Sequence, residues 1–223
     1  MSSTNTRMDQ IEMLRTQLET SLQLPTILVI SSARKDDGKG LVAEGLARSM
    51  EAAGYSTLLV LADEQTTAGQ GLTEPKSLAE ISDLGIARFV RASRSSENMM
   101  AIPSNNFRQK VSRDAVARFC ETCRASYEVT VVDAGPVLRS AFAMLLSAAG
   151  DGVLIVIRDG RRVCADDRQL AKMLASEKTP FLGVVAVAAS AINDERRLQI
   201  AKHPTTGTTK TANVKAGGKR HAV

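Results

Sequence analysis

Short apolar runs alternate with longer amphipathic segments along most of this chain. Runs rich in Val, Ile and Leu indicate buried strands, whereas apolar residues spaced three and four apart indicate helices. The pattern predicts six strands, at 26–31, 57–62, 99–102, 128–133, 152–157 and 181–189. It predicts six helices, at 6–22, 41–53, 77–84, 113–126, 139–149 and 163–177. Polar segments at 64–76 and 103–110 are expected to be loops, and 194–201 one or two further helical turns.

Strands that alternate with helices form repeated βαβ units, so the expected fold is α/β, with a mainly parallel sheet between two layers of helices. The predicted organisation is an N-terminal helix at 1–24, one α/β domain at 25–203 and a basic, disordered tail at 204–223. The carboxyl ends of parallel strands lie at one edge of the sheet. We therefore expect Lys39, Asp63 and Asp133 to converge there.

The first predicted strand leads directly into a polar turn and a helix, which is the arrangement of a phosphate-binding loop. The pattern Gly-x4-Gly-Lys-Ser/Thr is half met, because Ala33 stands at the first glycine and Gly40 at the hydroxyl residue that binds Mg²⁺. This stretch, called the 33–41 segment below, is the candidate nucleotide-phosphate site. Its residues are Ala33, Arg34, Lys35, Asp36, Asp37, Gly38, Lys39, Gly40 and Leu41.

Lys39, Asp63 and Asp133 are the candidate chemical groups of the site. In a phosphate-binding loop, backbone N–H groups surround the phosphates, the lysine bridges two of them, and a strand-end Asp holds Mg²⁺ through water. Asp63 and Asp133 are therefore the predicted catalytic and metal-binding acids, although Gly40 offers no hydroxyl ligand. The structural alternatives are a solvated lysine and acids that only cap helices.

The net charge of +5 is confined to the end of the chain. Residues 201–223 contain five basic residues and no acid, so residues 1–200 carry 24 basic and 24 acidic side chains. A neutral domain makes nucleic acid an unlikely partner. The flexible tail is expected to be disordered, with contact to an anionic membrane as the alternative. Arg161 and Arg162 are expected to form a solvated turn near the nucleotide edge.

Three cysteines do not suggest a disulfide framework. Cys120 and Cys123 form a Cys-x-x-Cys within a predicted helix, without a second Cys/His pair nearby, so we expect a packing role. No apolar run reaches the roughly 18 residues that span a bilayer, and the first ten residues lack an apolar signal core. The expected location is cytoplasmic.

Several segments, in order and at natural spacing, resemble motifs of the bacterial tyrosine kinases of capsule and exopolysaccharide synthesis, the CpsD/CapB/Wzc-like group of ParA/MinD-type P-loop proteins. The 31–40 segment resembles that family's Ser-Ser-x-x-Pro-Gly-Glu-Gly-Lys-Ser, and Asp63 ends a strand like its Asp-x-Asp motif. The other matches are Leu14-Arg15-Thr16-Gln17-Leu18, the strand and Asp-Ala-Gly-Pro-Val at 127–137, Asp151-Gly152, and Leu182-Gly183-Val184-Val185.

This resemblance implies a P-loop NTPase-like fold, ATP and Mg²⁺ as cofactors, and protein-tyrosine kinase activity. It implies a membrane polysaccharide co-polymerase, or chain-length regulator, as partner, and a homo-oligomer as a further possibility. With such a partner, the inner face of the cell membrane becomes the expected location.

The chain departs from the family mainly at catalytic positions. Gly40 replaces the metal-binding Ser/Thr, Leu61 the first Asp of Asp-x-Asp, and Asp36 a loop glycine. Val187 falls where a polar Asn would contact adenine, and Phe142 near a further Asp. The family's tyrosine-rich tail has no counterpart, because the two tyrosines stand before predicted strands. The N-terminal ring-assembly pattern is also altered, by an acid at Glu12 in place of its middle arginine.

Three hypotheses follow from the sequence. The first is a degenerate P-loop protein that turns over ATP weakly or not at all and regulates a membrane polysaccharide co-polymerase. The second is an active, metal-dependent tyrosine kinase or ATPase of the same pathway. The third is a ParA/MinD-like positioning ATPase, against which stands Ala33-Arg34 where that class has its early signature lysine. The substitutions at Gly40 and Leu61 favour the first.

Overall fold

The computed structural model describes residues 2–63, 75, 77–93, 96–102, 111–176 and 179–193. This part of the chain contains one six-stranded sheet with the strand order β3-β2-β4-β1-β5-β6. Every neighbouring pair of strands is parallel. The strands are β1 Thr26–Ser32, β2 Thr57–Ala62, β3 Met99–Ala101, β4 Val129–Ala134, β5 Gly152–Arg158 and β6 Phe181–Val187.

The helices follow the strands as a βαβ succession requires. They are α1 Ser2–Glu19, α2 Lys39–Ala52, α3 Leu78–Leu84, α4 Arg113–Ser126, α5 Ala141–Ala149 and α6 Ala165–Ser176, with single 3-10 turns at Ile86–Arg88 and Val137–Arg139. Serine hydroxyls cap three of them, because the side chains of Ser77, Ser112 and Ser140 accept hydrogen bonds from backbone N–H groups three residues later.

The predicted elements are confirmed within the described residues, with differences at their ends. The helix predicted at 41–53 begins at Lys39, and the strand predicted at 181–189 ends at Val187 because residues 189–193 are helical. The predicted 139–149 helix begins at Ala141, after a 3-10 turn. The predictions for 64–74, 103–110, 194–201 and 204–223 lie outside the described residues.

Two hydrophobic clusters, one on each face of the sheet, make the three layers. On one face, α1 and α2 pack through residues such as Leu18, Leu46 and Met50 against alternate strand side chains. On the other, α3 to α6 contribute residues that include Phe119 and Leu146. Strands that are apolar on both faces are typical of a parallel sheet covered by helices on both sides. No helix of the described residues is both long and apolar enough to cross a membrane.

The topology brings the candidate residues to one edge. Strand β4 lies between β1 and β2, and Asp133 is paired in register with Ile30 on one side and Leu61 on the other. Asp63 directly follows β2, and α2 begins at Lys39 after the loop that follows β1. The start of α2, the end of β2 and the end of β4 therefore meet at this edge of the sheet.

Candidate functional site

The 33–41 segment turns sharply at Gly38. This residue has φ of +87°, a left-handed conformation that glycine adopts without the steric cost of a side chain. Helix α2 starts at the next residue, so Lys39 occupies the first turn of the helix. Within the segment, Ala33 and Asp37 are buried, whereas Arg34, Lys35 and Asp36 are exposed and Leu41 is partly buried.

Lys39 lies between the two predicted acids. Its Nζ atom is 2.6 Å from Asp63 Oδ2 and 3.1 Å from Asp133 Oδ1. The exposed fractions of the three side chains are 4% for Lys39, 7% for Asp63 and 0% for Asp133. Burial alone would lower the pKa of Lys39, but the charges of Asp133 and Asp63 outweigh it and raise the pKa above its ordinary value. The ammonium is therefore charged and held by both carboxylates.

A second set of charges joins the 33–41 segment to the connection between β5 and α6. Arg161 Nε lies 3.2 Å from Asp37 Oδ1, and Arg161 Nη1 donates a hydrogen bond of 2.6 Å to Asp167 Oδ2. The hydrogen bond between Arg161 and Asp167 is the main cause that raises the pKa of Arg161. The same hydrogen bond is the main cause that lowers the pKa of Asp167. A longer ion pair joins exposed Arg34 to Asp166 at 3.8 Å.

Apolar side chains cover the turn at Gly38. A Cβ atom at Gly38 would meet Ile192 Cγ1 at 3.0 Å and Val187 Cγ1 at 3.2 Å. Ile192 and Val187 are 4% and 8% exposed, so they pack on the segment rather than face solvent. The position that the family resemblance assigns to a polar adenine contact is thus occupied by an apolar residue in contact with the turn.

The loop after β4 closes the site on another side. Ser31 Oγ donates a hydrogen bond of 2.8 Å to the carbonyl oxygen of Gly135. A Cβ atom at Gly135 would lie 4.0 Å from Asp63 Cγ, so this loop runs directly beside the acid. The loop after β4 is therefore held to the end of β1 beside both acids.

The expected convergence of Lys39, Asp63 and Asp133 is confirmed by these distances. Leu61 and Phe142 are instead buried in the hydrophobic clusters of opposite faces of the sheet. Among the described residues, no group of three or more His, Cys, Asp and Glu side chains is arranged to hold a metal ion. The two acids thus meet around an ammonium rather than in a larger acidic cluster.

Arg161 was missed by sequence reasoning, which expected a solvated turn. Its side chain is 16% exposed, and it contacts acids that are 124 and 6 residues away. A signal existed in the sequence: Asp37 is an acid next to the glycine of a predicted phosphate turn, and a buried acid needs a counter-charge. The position of that counter-charge could not be derived from spacing.

Cys120 and Cys123 lie on α4 within the core, where both are fully buried. Burial raises the pKa of Cys120 to about 11 and also raises the pKa of Cys123. Both thiols are therefore protonated at neutral pH. The expected packing role agrees with this environment. Metal binding and attack on disulfides both require the thiolate, which burial disfavours here.

Comparisons with known proteins found similar sequences and similar folds. No family model matches the sequence. The tyrosine-protein kinase CpsD of Streptococcus agalactiae is 23% identical over 188 residues, which cover 77% of this chain and 79% of CpsD. The kinase domain of the Escherichia coli tyrosine kinase ETK has a TM-score of 0.65 at 19% identity, covering 82% of this chain and 76% of that one.

Two more distant solved structures share the fold. A ParA family ATPase from Chlorobium tepidum TLS has a TM-score of 0.54 at 17% identity, over 73% of this chain and 72% of that one. Cobyrinic acid a,c-diamide synthase from Mycobacterium smegmatis, solved with an ATP analogue and magnesium, has a TM-score of 0.58 at 14% identity, over 80% and 82%. The sequence is therefore similar to that of the tyrosine kinase CpsD, and the chain has a P-loop NTPase-like fold similar to those of bacterial tyrosine-kinase domains and a ParA family ATPase.

Proposed function

We propose that this chain is a degenerate, tyrosine-kinase-like P-loop protein of exopolysaccharide or capsule biosynthesis. It turns over ATP weakly or not at all, and it acts as a regulatory partner of a membrane polysaccharide co-polymerase. The single observation that carries the proposal is the closed triad of Lys39, Asp63 and Asp133, in which two carboxylates of the protein itself hold the ammonium of Lys39.

The triad opposes the binding of a magnesium nucleotide. A phosphate that takes the ammonium of Lys39 must draw it away from Asp63 and Asp133, which stay buried and lose this counter-charge. Leaving a buried charge without its partner costs about 3–5 kcal/mol. Mg²⁺ could replace the ammonium between the acids only with further ligands, and Gly40 has no side-chain oxygen to offer.

The cover over Gly38 opposes the nucleotide as well. Val187 and Ile192 are in contact with the turn at the side where the family resemblance places the base. Apolar side chains offer no hydrogen bond that would discriminate adenine. The residues present therefore do not fit ATP with Mg²⁺ as they stand, and we assign no step of phosphoryl transfer to this site.

Membership of the polysaccharide pathway is supported by the homology to CpsD, which spans more than three quarters of both chains. The chain keeps the fold, and in this proposal also the surface that meets the partner, while its own carboxylates hold the ammonium of the site. In this proposal the co-polymerase is that partner, and the basic residues of 204–223 contact the anionic membrane surface beside it.

An active kinase or ATPase is the alternative, and one specific observation favours it. Lys39, Asp63 and Asp133 are all retained at the sheet edge, although several neighbouring positions have changed. In this alternative, Lys39 would contact the phosphates, and Asp63 and Asp133 would hold the metal and polarise the attacking group.

Two measurements separate these functions. The first is release and transfer of labelled γ-phosphate in the presence of Mg²⁺, with CpsD as positive control. The proposal predicts weak turnover, far below about 1 s⁻¹, or none above the protein-free rate. Turnover on the order of 1 s⁻¹, within the range of working kinases, would support the active alternative if Asp63→Asn abolished it.

The second measurement tests the pathway role. Deletion of the gene should change the length or amount of the surface polymer, and the wild-type chain should restore it. Asp63→Asn should restore it equally, because Lys39 keeps its pair with Asp133 and no catalysis is lost. An unchanged polymer after deletion would contradict the pathway role. Failure of Asp63→Asn at normal protein levels would contradict the degenerate site.

A further inference from the structure

Asp37, which precedes the turn at Gly38, is buried and paired with a residue outside the 33–41 segment. The side chain of Asp37 is 3% exposed, and Arg161 Nε lies 3.2 Å from its Oδ1 atom. Arg161 Nη2 lies 3.4 Å from the other oxygen, Oδ2. Both carboxylate oxygens of Asp37 thus face one guanidinium, which belongs to the connection between β5 and α6.

That guanidinium is itself anchored at the start of α6. Arg161 Nη1 donates a hydrogen bond of 2.6 Å to Asp167 Oδ2, and the same oxygen accepts a hydrogen bond of 2.8 Å from the backbone N–H of Cys164. The β5–α6 connection is therefore locally rigid where it meets Asp37. Charge-assisted pairs with two contacts fix orientation as well as distance.

We propose that Asp37, Arg161 and Asp167 form a clasp that sets the conformation of the 33–41 segment from the β5–α6 connection. Arg161 is a positioning residue in this clasp. The clasp rests on the function proposed above for the role of the 33–41 segment. It adds to that function by naming the element that regulates the candidate site. A change at the β5–α6 connection is transmitted to the segment through one side chain.

Arg161 holds the 33–41 segment closed because a buried acid without a counter-charge is costly. Without Arg161, the carboxylate of Asp37 would remain in a buried position with no counter-charge, and the favourable response is for it to move into water. Moving Asp37 outward pulls on Gly38, whose left-handed backbone packs against Ile192. The segment then opens. The adjacent Arg162 is exposed and serves as the matched control, since its loss removes the same charge.

The clasp is tested by amide hydrogen exchange of the full chain, comparing peptides that cover 33–41 with peptides that cover β4. Arg161→Gln is expected to raise exchange in the 33–41 peptides at least about tenfold, with β4 unchanged, and Arg162→Gln to leave both as in the wild type. The double variant Asp37→Asn/Arg161→Gln is expected to exchange more slowly than Arg161→Gln alone, because the acid that drives opening is gone.

Equal exchange in Arg161→Gln and Arg162→Gln would overturn the clasp. So would a parallel rise in β4, which marks a general loss of stability, or a double variant that exchanges as fast as Arg161→Gln alone. If Arg161→Gln does not fold, Arg161→Lys gives the same readout, because one ammonium cannot reproduce the two-sided fork and exchange should still rise.

The same experiment keeps the two proposals apart. Wild-type protein is measured with and without Mg²⁺ and ATP at about 1 mM, where a functional site would be substantially filled. Strong protection of the 33–41 peptides would contradict the degenerate site while leaving the clasp to be judged by Arg161→Gln. Absence of protection, with no difference between Arg161→Gln and Arg162→Gln, would contradict the clasp alone.

Discussion

The ammonium of Lys39 and the carboxylate of Asp133, which are 94 residues apart in sequence, form a buried pair at 3.1 Å. Asp133 is fully buried within the sheet and Lys39 begins the helix that follows β1. The pair therefore joins helix α2 to the central strand β4 at the edge where a nucleotide would have to bind. Asp63 completes it from the neighbouring strand end.

Removal of Lys39 should be costly to stability. Lys39→Met leaves Asp63 and Asp133 close together and buried, and we expect the free energy of unfolding at neutral pH to fall by about 3–5 kcal/mol. Urea denaturation measures this directly. Lys35→Met, in the exposed part of the same segment, should change stability by less than about 0.5 kcal/mol. Similar small losses for both variants would show that the triad is not a charged, buried unit.

The contact between Gly38 and Ile192 can be isolated from backbone strain. Gly38→Ala and Gly54→Ala both place a side chain at positive φ, +87° and +95°, which costs about 1–2 kcal/mol in each case. Only the Cβ at Gly38 meets a neighbour within 4 Å, so Gly38→Ala should lose more stability than Gly54→Ala. Truncating Ile192 to Ala, which removes both Cγ1 and Cδ1, should reduce the difference. Equal losses at the two glycines would mean that Ile192 does not cover the turn.

The thiols should separate into two classes. Cys120 and Cys123 are buried, with the pKa of Cys120 raised to about 11, whereas Cys164 is partly exposed. Because the thiolate is the reactive form, an aromatic disulfide reagent at pH 8 should label one thiol in the native protein and two more after unfolding. Addition of zinc should leave the native count unchanged. Rapid labelling of three thiols, or their protection by zinc, would contradict the packing role.

The ion pair of Asp167 predicts a specific pH dependence. The hydrogen bond from Arg161 lowers the pKa of Asp167 in the folded protein, so its stabilisation is fully present above the unfolded pKa of about 3.9 and is lost as the pH falls through the folded value. The stability difference between wild type and Asp167→Asn, about 1–2 kcal/mol, should be constant from pH 7 to pH 5.

That difference should shrink only below about pH 4. Urea denaturation at pH 7, pH 5 and pH 3.5 follows it, with Asp166→Asn as the control because its side chain is 39% exposed. A difference that already disappears between pH 7 and pH 5 would mean that Asp167 is not held as a carboxylate by Arg161.

The fold could be predicted because its determinants are local. Apolar runs of about six residues, such as 57–62, can be recognised in the sequence, and so can the turn at Gly38. The rules for βαβ units then place the carboxyl ends of all strands at one edge of the sheet. Convergence of Lys39 with the two acids follows from that topology. It needs no knowledge of side-chain packing.

The contacts around the site could not be predicted in the same way. The pairing of Arg161 with Asp37 depends on the position of the β5–α6 connection relative to the sheet edge. The cover by Ile192 depends on where the helical residues 189–193 begin. Both are long-range outcomes of packing. The helix predicted at 41–53 starts two residues earlier for a related reason, because Gly38 takes the turn and leaves Lys39 free to enter the helix.

The central claim is that the site is closed by its own charges, and equilibrium titration with a fluorescent ATP analogue tests it most directly. The full chain is titrated with and without Mg²⁺, in the wild type and in Lys39→Ala. The account predicts no saturable binding tighter than about 1 mM in the wild type and no gain on addition of Mg²⁺. Micromolar binding that requires Mg²⁺ and is abolished by Lys39→Ala would contradict it.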